Sequence, residues 1–260
     1  MKKRVPFIAG NWKMHMTIPE ARDLAGAIVK ASPDFGEAEV VVVPPFTALR
    51  EVKRVLEGGS VRLGAQDVFW EDKGAFTGKI SAPMLRDAGC QYVLIGHSER
   101  RQFFGETDTS VNKKIQAALR HGLIPIVCIG ETLEEREQNK TMIRVDGQLL
   151  EGLANLSLEA VAKAVFAYEP VWAIGTGKTA TPGQAEEVHA YIRERLAKKV
   201  GNESASCAII LYGGSVKPSN AYSLAREENI DGFLVGGASL EASSFIQISK
   251  EALRAYKERN

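Results

Sequence analysis

Short apolar runs without polar alternation recur along the chain, at residues 7–9, 40–43, 61–65, 92–95, 124–129, 165–168, 209–211 and 233–235. Their Val and Ile content and unbroken apolar character read as parallel strands buried on both faces. Between them lie amphipathic segments. Ala21, Leu24, Ala25 and Ile28 repeat at helical spacing, as do Ala185, Val188, His189 and Ile192. Thr17 with Glu20 and Thr181 with Gln184 fit capping boxes, and Pro182 fits the first helical position. Gly58 and Gly122 stand where helices should stop.

Eight such strand–helix units predict an α/β protein, and regular repetition favours a closed (β/α)8 TIM barrel over an open doubly wound sheet. No linker or composition shift divides residues 1–260, so a single domain is expected. A barrel of this kind places its site in the loops that follow the strands.

Composition narrows the partners. The 260 residues carry a formal net charge of +1, with 45% hydrophobic and 25% charged residues. Without a basic excess, neither nucleic acid nor a membrane surface is an expected partner. Cys90, Cys128 and Cys207 are too few and too far apart for a disulfide framework or a metal cluster, and an odd count suits a reducing compartment. The apolar run after Pro6 is too short for a secretory signal, so the Asn-x-Ser/Thr triplets at Asn139, Asn155 and Asn202 read as chance matches and the expected location is cytoplasmic.

The strand-end rule then selects candidate chemistry. Gly10-Asn11-Trp12-Lys13 follows the first strand, Gly96-His97-Ser98-Glu99 the fourth, Glu169-Pro170 the sixth, Gly213-Gly214-Ser215 the seventh and Gly236-Gly237 the eighth. Taken alone, Glu169 reads as a solvated carboxylate or as a general base; shielding by a lid would raise its pKa toward neutrality. His97 reads as a structural imidazole or as a donor to a substrate oxygen. Lys13 reads as a surface lysine, a charge for an oxyanion or phosphate, or a Schiff-base nucleophile of the aldolase kind. The two glycine pairs are tight turns or a phosphate cradle of backbone N–H groups, which needs no basic patch. The lid candidate is 170–180, with Trp172 and Ile174 at an apolar start and Gly175 and Gly177 within it. Its Gly177-Lys178-Thr179 lacks the glycine a nucleotide P-loop requires five positions earlier, where Trp172 stands, and no Gly-x-Gly-x-x-Gly turn follows the first strand.

The stretches Ala9-Gly10-Asn11-Trp12-Lys13-Met14, Gly74-Ala75-Phe76-Thr77-Gly78, Ile95-Gly96-His97-Ser98-Glu99-Arg100-Arg101, Ala167-Tyr168-Glu169-Pro170-Val171-Trp172, Tyr212-Gly213-Gly214-Ser215-Val216 and Val235-Gly236-Gly237-Ala238 resemble those of the triosephosphate isomerase family, in order and over nearly the whole chain. The resemblance implies interconversion of dihydroxyacetone phosphate and D-glyceraldehyde 3-phosphate through an enediolate, a step of glycolysis and gluconeogenesis, with no cofactor and no metal. It implies Glu169 as base, His97 as electrophile and Lys13 as charge stabiliser. Asn11 would help place the substrate, and Gly175, Ser215, Gly236 and Gly237 would hold its phosphate, with Ser98 and Glu99 supporting. It also implies a homodimer in which loop 66–79, tipped by Phe76 and Thr77, enters the partner; Phe69, Trp70 and Phe76 are expected to be exposed there. Lys79 departs from the family's usual acidic residue opposite Arg100, His15 from its usual Asn, and Gly183 from its usual Glu. Two other readings stand beside this one: an aldolase-like barrel, and a catalytically silent barrel that binds. The retained Asn11, Lys13, His97 and Glu169 argue against the second.

Overall fold

The computed structural model describes residues 4–175 and 178–259. Strands β1 (Phe7–Asn11), β2 (Glu39–Val43), β3 (Arg62–Ala65), β4 (Tyr92–Ile95), β5 (Ile124–Ile129), β6 (Val165–Tyr168), β7 (Ile209–Tyr212) and β8 (Gly232–Val235) form a closed parallel barrel in sequence order. Closure comes from β1 pairing with β2 on one side and β8 on the other, Ile8 lying opposite Val40 and Phe233.

The apolar runs do not alternate with polar residues because each face of the sheet meets a different core. Ala9, Val41, Val43, Leu94, Ile126, Cys128, Ala167 and Leu211 fill the inside of the barrel. Their strand neighbours Ile8, Val42, Leu63, Val93, Ile129, Phe166 and Phe233 pack outward with the helices. Side chains alternate across a strand, so one strand must supply both layers.

The helices obey the sequence pattern. Ala21, Leu24, Ala25 and Ile28 are the buried face of helix Ile18–Lys30, whose start is fixed by the Glu20 carboxylate accepting from Thr17 N–H at 2.7 Å. In helix Pro182–Val200, Thr181 and Gln184 exchange side-chain and backbone hydrogen bonds of 3.0 and 3.2 Å. Gly58 and Gly122 take left-handed backbone at φ 76° and 71° just past their helices, a conformation glycine enters without a Cβ penalty. Gly183 is tolerated early in its helix because the Thr181–Gln184 box already satisfies the first turn. Among the described residues no helix is long and apolar enough to cross a membrane.

Candidate active site

Every strand-end residue singled out above lies at one end of the barrel. Asn11, Lys13, His97, Glu169, Gly175, Ser215, Gly236 and Gly237 line a common cleft of about 400 Å³, joined by His15 and Lys217. Thr176 and Gly177, within the candidate lid, lie outside the described residues.

Lys13 emerges from β1 in left-handed backbone, φ 51°. For a residue with a side chain this costs of order 1–3 kcal/mol and persists only where neighbours over-determine it. Here they do. Lys13 N–H donates to Asn11 Oδ1 at 3.0 Å, and the Lys13 carbonyl accepts from Gln66 Nε2 at 2.7 Å. Gln66 also donates to the Val43 carbonyl at 3.1 Å, so the end of β3 clamps the end of β1 to that of β2. The chain thus redirects Lys13 Nζ to the Glu99 carboxylate at 2.5 Å. Sequence reasoning gave Gln66 only as the start of a loop; nothing in its neighbours marks it as a clamp.

His97 caps helix Ser98–Phe104. Its Nδ1 accepts from Glu99 N–H at 3.3 Å, which leaves the ring proton on Nε2. Nε2 faces Glu169 Oε1 at 3.0 Å, and the other oxygen, Oε2, accepts from Ser98 N–H at 2.9 Å. Burial disfavours a charged imidazole, as does the positive end of a helix. Contact with the Glu169 carboxylate, together with Glu99, outweighs burial and draws the His97 pKa upward.

The rise expected for Glu169 belongs to a state in which a lid shields it from water. Burial does push the carboxyl up, but His97, the Ser98 N–H and Lys13 together hold it below the ordinary glutamate range in this arrangement. The missed factor is a neighbour separated by most of two strand–helix units, invisible to local sequence.

The glycines leave room for these side chains. A Cβ on Gly213 would stand 2.9 Å from Glu169 Cγ, and one on Gly236 would stand 3.3 Å from Lys13 Cε. Gly96, just before His97, sits at φ 77°, and its N–H donates to Glu106 Oε1 at 2.8 Å. Glu106 belongs to a buried charge cluster that sequence reasoning missed. Lys114 Nζ bridges Glu106 and Asp67 at 2.6 Å each, while Arg100 bonds Glu106 at 2.8 Å and Asp67 at 2.7 Å. Two carboxylates and two cations thereby fasten β3 to the loop that carries His97. Charges of alternating sign at those positions are the only signal in the sequence, and surface pairs give the same one.

The first turn of the lid candidate is also anchored by a missed residue. Glu131, fully buried, accepts from Tyr168 Oη at 3.1 Å and from Trp172 Nε1 at 2.9 Å. Trp172 packs against the core, not at a free tip.

Loop 66–79 runs exposed from 71 to 79. Phe69 and Trp70, expected to be exposed, are instead half-buried. Phe69 stacks between Trp70 and Phe76, centroids 4.1 and 4.7 Å away, and only Phe76 stays open to solvent. Lys79 lies over the Phe69 ring at 5.8 Å, and Arg100 is engaged with Asp67 and Glu106, so within the chain the two cations have separate partners. No group of acidic, His or Cys side chains among the described residues is arranged to hold a metal ion.

A family model described as triosephosphate isomerase matches residues 6–252. A triosephosphate isomerase of Moorella thermoacetica is 57% identical over 245 residues, covering 94% of this chain and 98% of the relative. One of Endomicrobium trichonymphae is 54% identical over 247 residues, covering 95% and 98%. One of Carboxydothermus hydrogenoformans is 52% identical over 250 residues, covering 96% and 100%. With its closed eight-stranded barrel and a match of this extent, the chain belongs to the triosephosphate isomerase family.

Proposed function

We propose that the chain interconverts dihydroxyacetone phosphate and D-glyceraldehyde 3-phosphate by proton transfer through an enediolate, without a cofactor. The observation that carries this reading is the meeting of Glu169 and His97 Nε2 at 3.0 Å in a cleft that Lys13 also lines. A proton beside a carbonyl is weakly acidic until the carbonyl is polarised, so base and electrophile must act on one substrate together. Glu169 takes the proton from one carbon and returns it to its neighbour. His97 Nε2–H polarises the carbonyl. Lys13, fixed by Glu99, offsets the charge on the enediolate oxygen, and Asn11 orients the substrate. The backbone of Gly175, Ser215, Gly236 and Gly237 receives the phosphate. When Glu169 turns from His97 and Ser98 to the substrate, the main contact that favours a charged imidazole is lost; burial, the helix end and Lys13 then work against the remaining pull of Glu99, 3.7 Å from Nδ1, toward a neutral ring. The loop 170–180 closes the cleft, keeping the intermediate from water and from phosphate loss.

The assembly we propose is a homodimer joined through loop 66–79, with Phe76 and Thr77 at the contact. Supporting it, Met14, Phe76, Phe103 and Phe104 are 94, 43, 66 and 70% exposed, and large apolar surface is costly in water. The proposed setting is one domain, residues 1–260, acting in glycolysis and gluconeogenesis in the cytoplasm.

The test is steady-state isomerisation of D-glyceraldehyde 3-phosphate with no added metal or cofactor. Turnover supports the reading; its absence from a folded protein overturns it. Borohydride trapping separates the aldolase reading: with Lys13 Nζ engaged by Glu99 at 2.5 Å, no adduct at Lys13 is expected.

A further inference from the structure

Glu169 is a partition. One side of it faces the cleft described above, and the other faces a second cavity of about 360 Å³ between the His97 loop, the end of β5 and the first turn after β6. The second cavity has an apolar lining from Cys128, Ile129 and Val171. Arg144 and Gln102 stand among its lining groups. Gln102 is exposed. Arg144 is 39% exposed and holds its carboxylate partners loosely, Glu135 at 3.6 Å and Asp108 at 4.0 Å. A guanidinium so placed has donors to spare for a carboxylate in a fork geometry. The deeper polar groups are already satisfied: Gln148 exchanges two hydrogen bonds with Gly130, and Arg101 is spent on Gly96, Cys128 and Asp108. Beyond the Glu169 carboxylate and Ser98 that wall it on one side, the interior therefore offers an apolar surface and the rim one available cation, and neither includes a group assigned to phosphate binding.

The wall matters as much as the room. Glu169 lines both cavities while bonded to His97 and Ser98, and Val171, two residues on, lines only the second. If Glu169 is the base, it must leave those contacts to reach substrate, and the second cavity changes shape when it does. We propose that this cavity is a ligand site for an apolar molecule bearing one carboxylate, and that an occupant slows turnover by holding Glu169 against His97 and Ser98, not by competing for the phosphate cleft. The inhibitory half rests on the reading of Glu169 as base; the binding half does not.

The probe is 2-naphthoate, followed by ligand-observed NMR on the full chain and by steady-state kinetics. Saturating inorganic phosphate should leave the probe bound. A preference of about tenfold for the resting arrangement lowers kcat/KM by up to about tenfold at saturation, shared between kcat and KM because substrate itself draws Glu169 out of that arrangement. Arg144→Ala should weaken probe binding by about threefold, the scale of a partly exposed ion pair, and Gln102→Trp, which plugs the rim, should abolish it. Displacement by phosphate with a rise in KM would place the probe in the cleft and overturn the proposal. So would no binding, binding indifferent to both variants, or binding that leaves kcat/KM unchanged. Probe binding sensitive to both variants in a protein without isomerase turnover would uphold the ligand site and sink the reading of Glu169.

Discussion

Two carboxylates are buried at opposite ends of this barrel, and they are held in opposite ways. Asp231, just before β8, is 4% exposed and bonded to two permanent cations: Arg4 at 2.9 Å and Arg193 at 2.8 Å, with Ile210 N–H at 2.9 Å. Glu169, just after β6, is 2% exposed but its close partners are a backbone N–H, an imidazole and the Cys128 thiol, with Lys13 the one cation acting on it. Asp231 is saturated and has nowhere else to go. Glu169 has partners it can exchange, beside an open cleft. Burial alone does not tell a structural carboxylate from a reactive one; what the partners are, and whether water-filled space adjoins them, does.

Substitutions at each end should separate the two kinds. Glu169→Ala should lower kcat by roughly 10²–10⁴, the range general-base catalysis supplies, while its melting temperature stays near that of the parent. Activity close to the parent's would remove Glu169 from the mechanism. Asp231→Ala should do the reverse. Leaving Arg4 and Arg193 uncompensated costs about 3–5 kcal/mol of stability, read by urea denaturation, with turnover per folded molecule retained. Lys13→Ala should reduce kcat by ~10²–10³, as loss of an oxyanion partner does, and circular dichroism should show an intact fold. If only thermal stability moved, Lys13 would belong with Asp231.

The smallest expected effect is in pH dependence. A base works when ionised, so activity is present above its pKa and lost as pH falls through it. In the free protein His97 and Ser98 hold Glu169 below the ordinary glutamate range. Bound substrate removes those contacts while burial remains, so the pKa rises. The acid limb of kcat should therefore lie at higher pH than that of kcat/KM, once the substrate phosphate, ionising near pH ~6, is allowed for. Coincident limbs would mean that Glu169 keeps its contacts during turnover.

The barrel was legible because its strands are buried on both faces: the runs at 92–95, 124–129 and 165–168 coincide with β4, β5 and β6. The other ends shift by one or two residues: β1 runs on through Gly10 and Asn11, β2 starts at Glu39, β3 starts at Arg62 and not Val61, β7 adds Tyr212 and β8 starts at Gly232. Lys13, His97 and Glu169 were legible as strand-end residues, since topology alone collects such positions at one mouth. Their mutual geometry was not. The Gln66 clamp, the Glu131 anchor and the Lys114 cluster join residues tens of positions apart, and a hydrogen bond across that distance leaves no local trace. Phe69 and Trp70 were misread for the same reason, because stacking within a loop looks like exposure when only composition is seen.

The pairing of Phe7 with Gly232 has a consequence for how the chain is made. A closed barrel has no free strand edge, and free edges invite pairing with other chains. During synthesis, however, β1 emerges first and its second neighbour emerges last. Until β8 leaves the ribosome, β1 and whichever strand was made most recently both offer unsatisfied backbone. At typical elongation of about 5–20 residues per second, that open-edged interval lasts many seconds, and it is then that a nascent chain most needs protection from its neighbours.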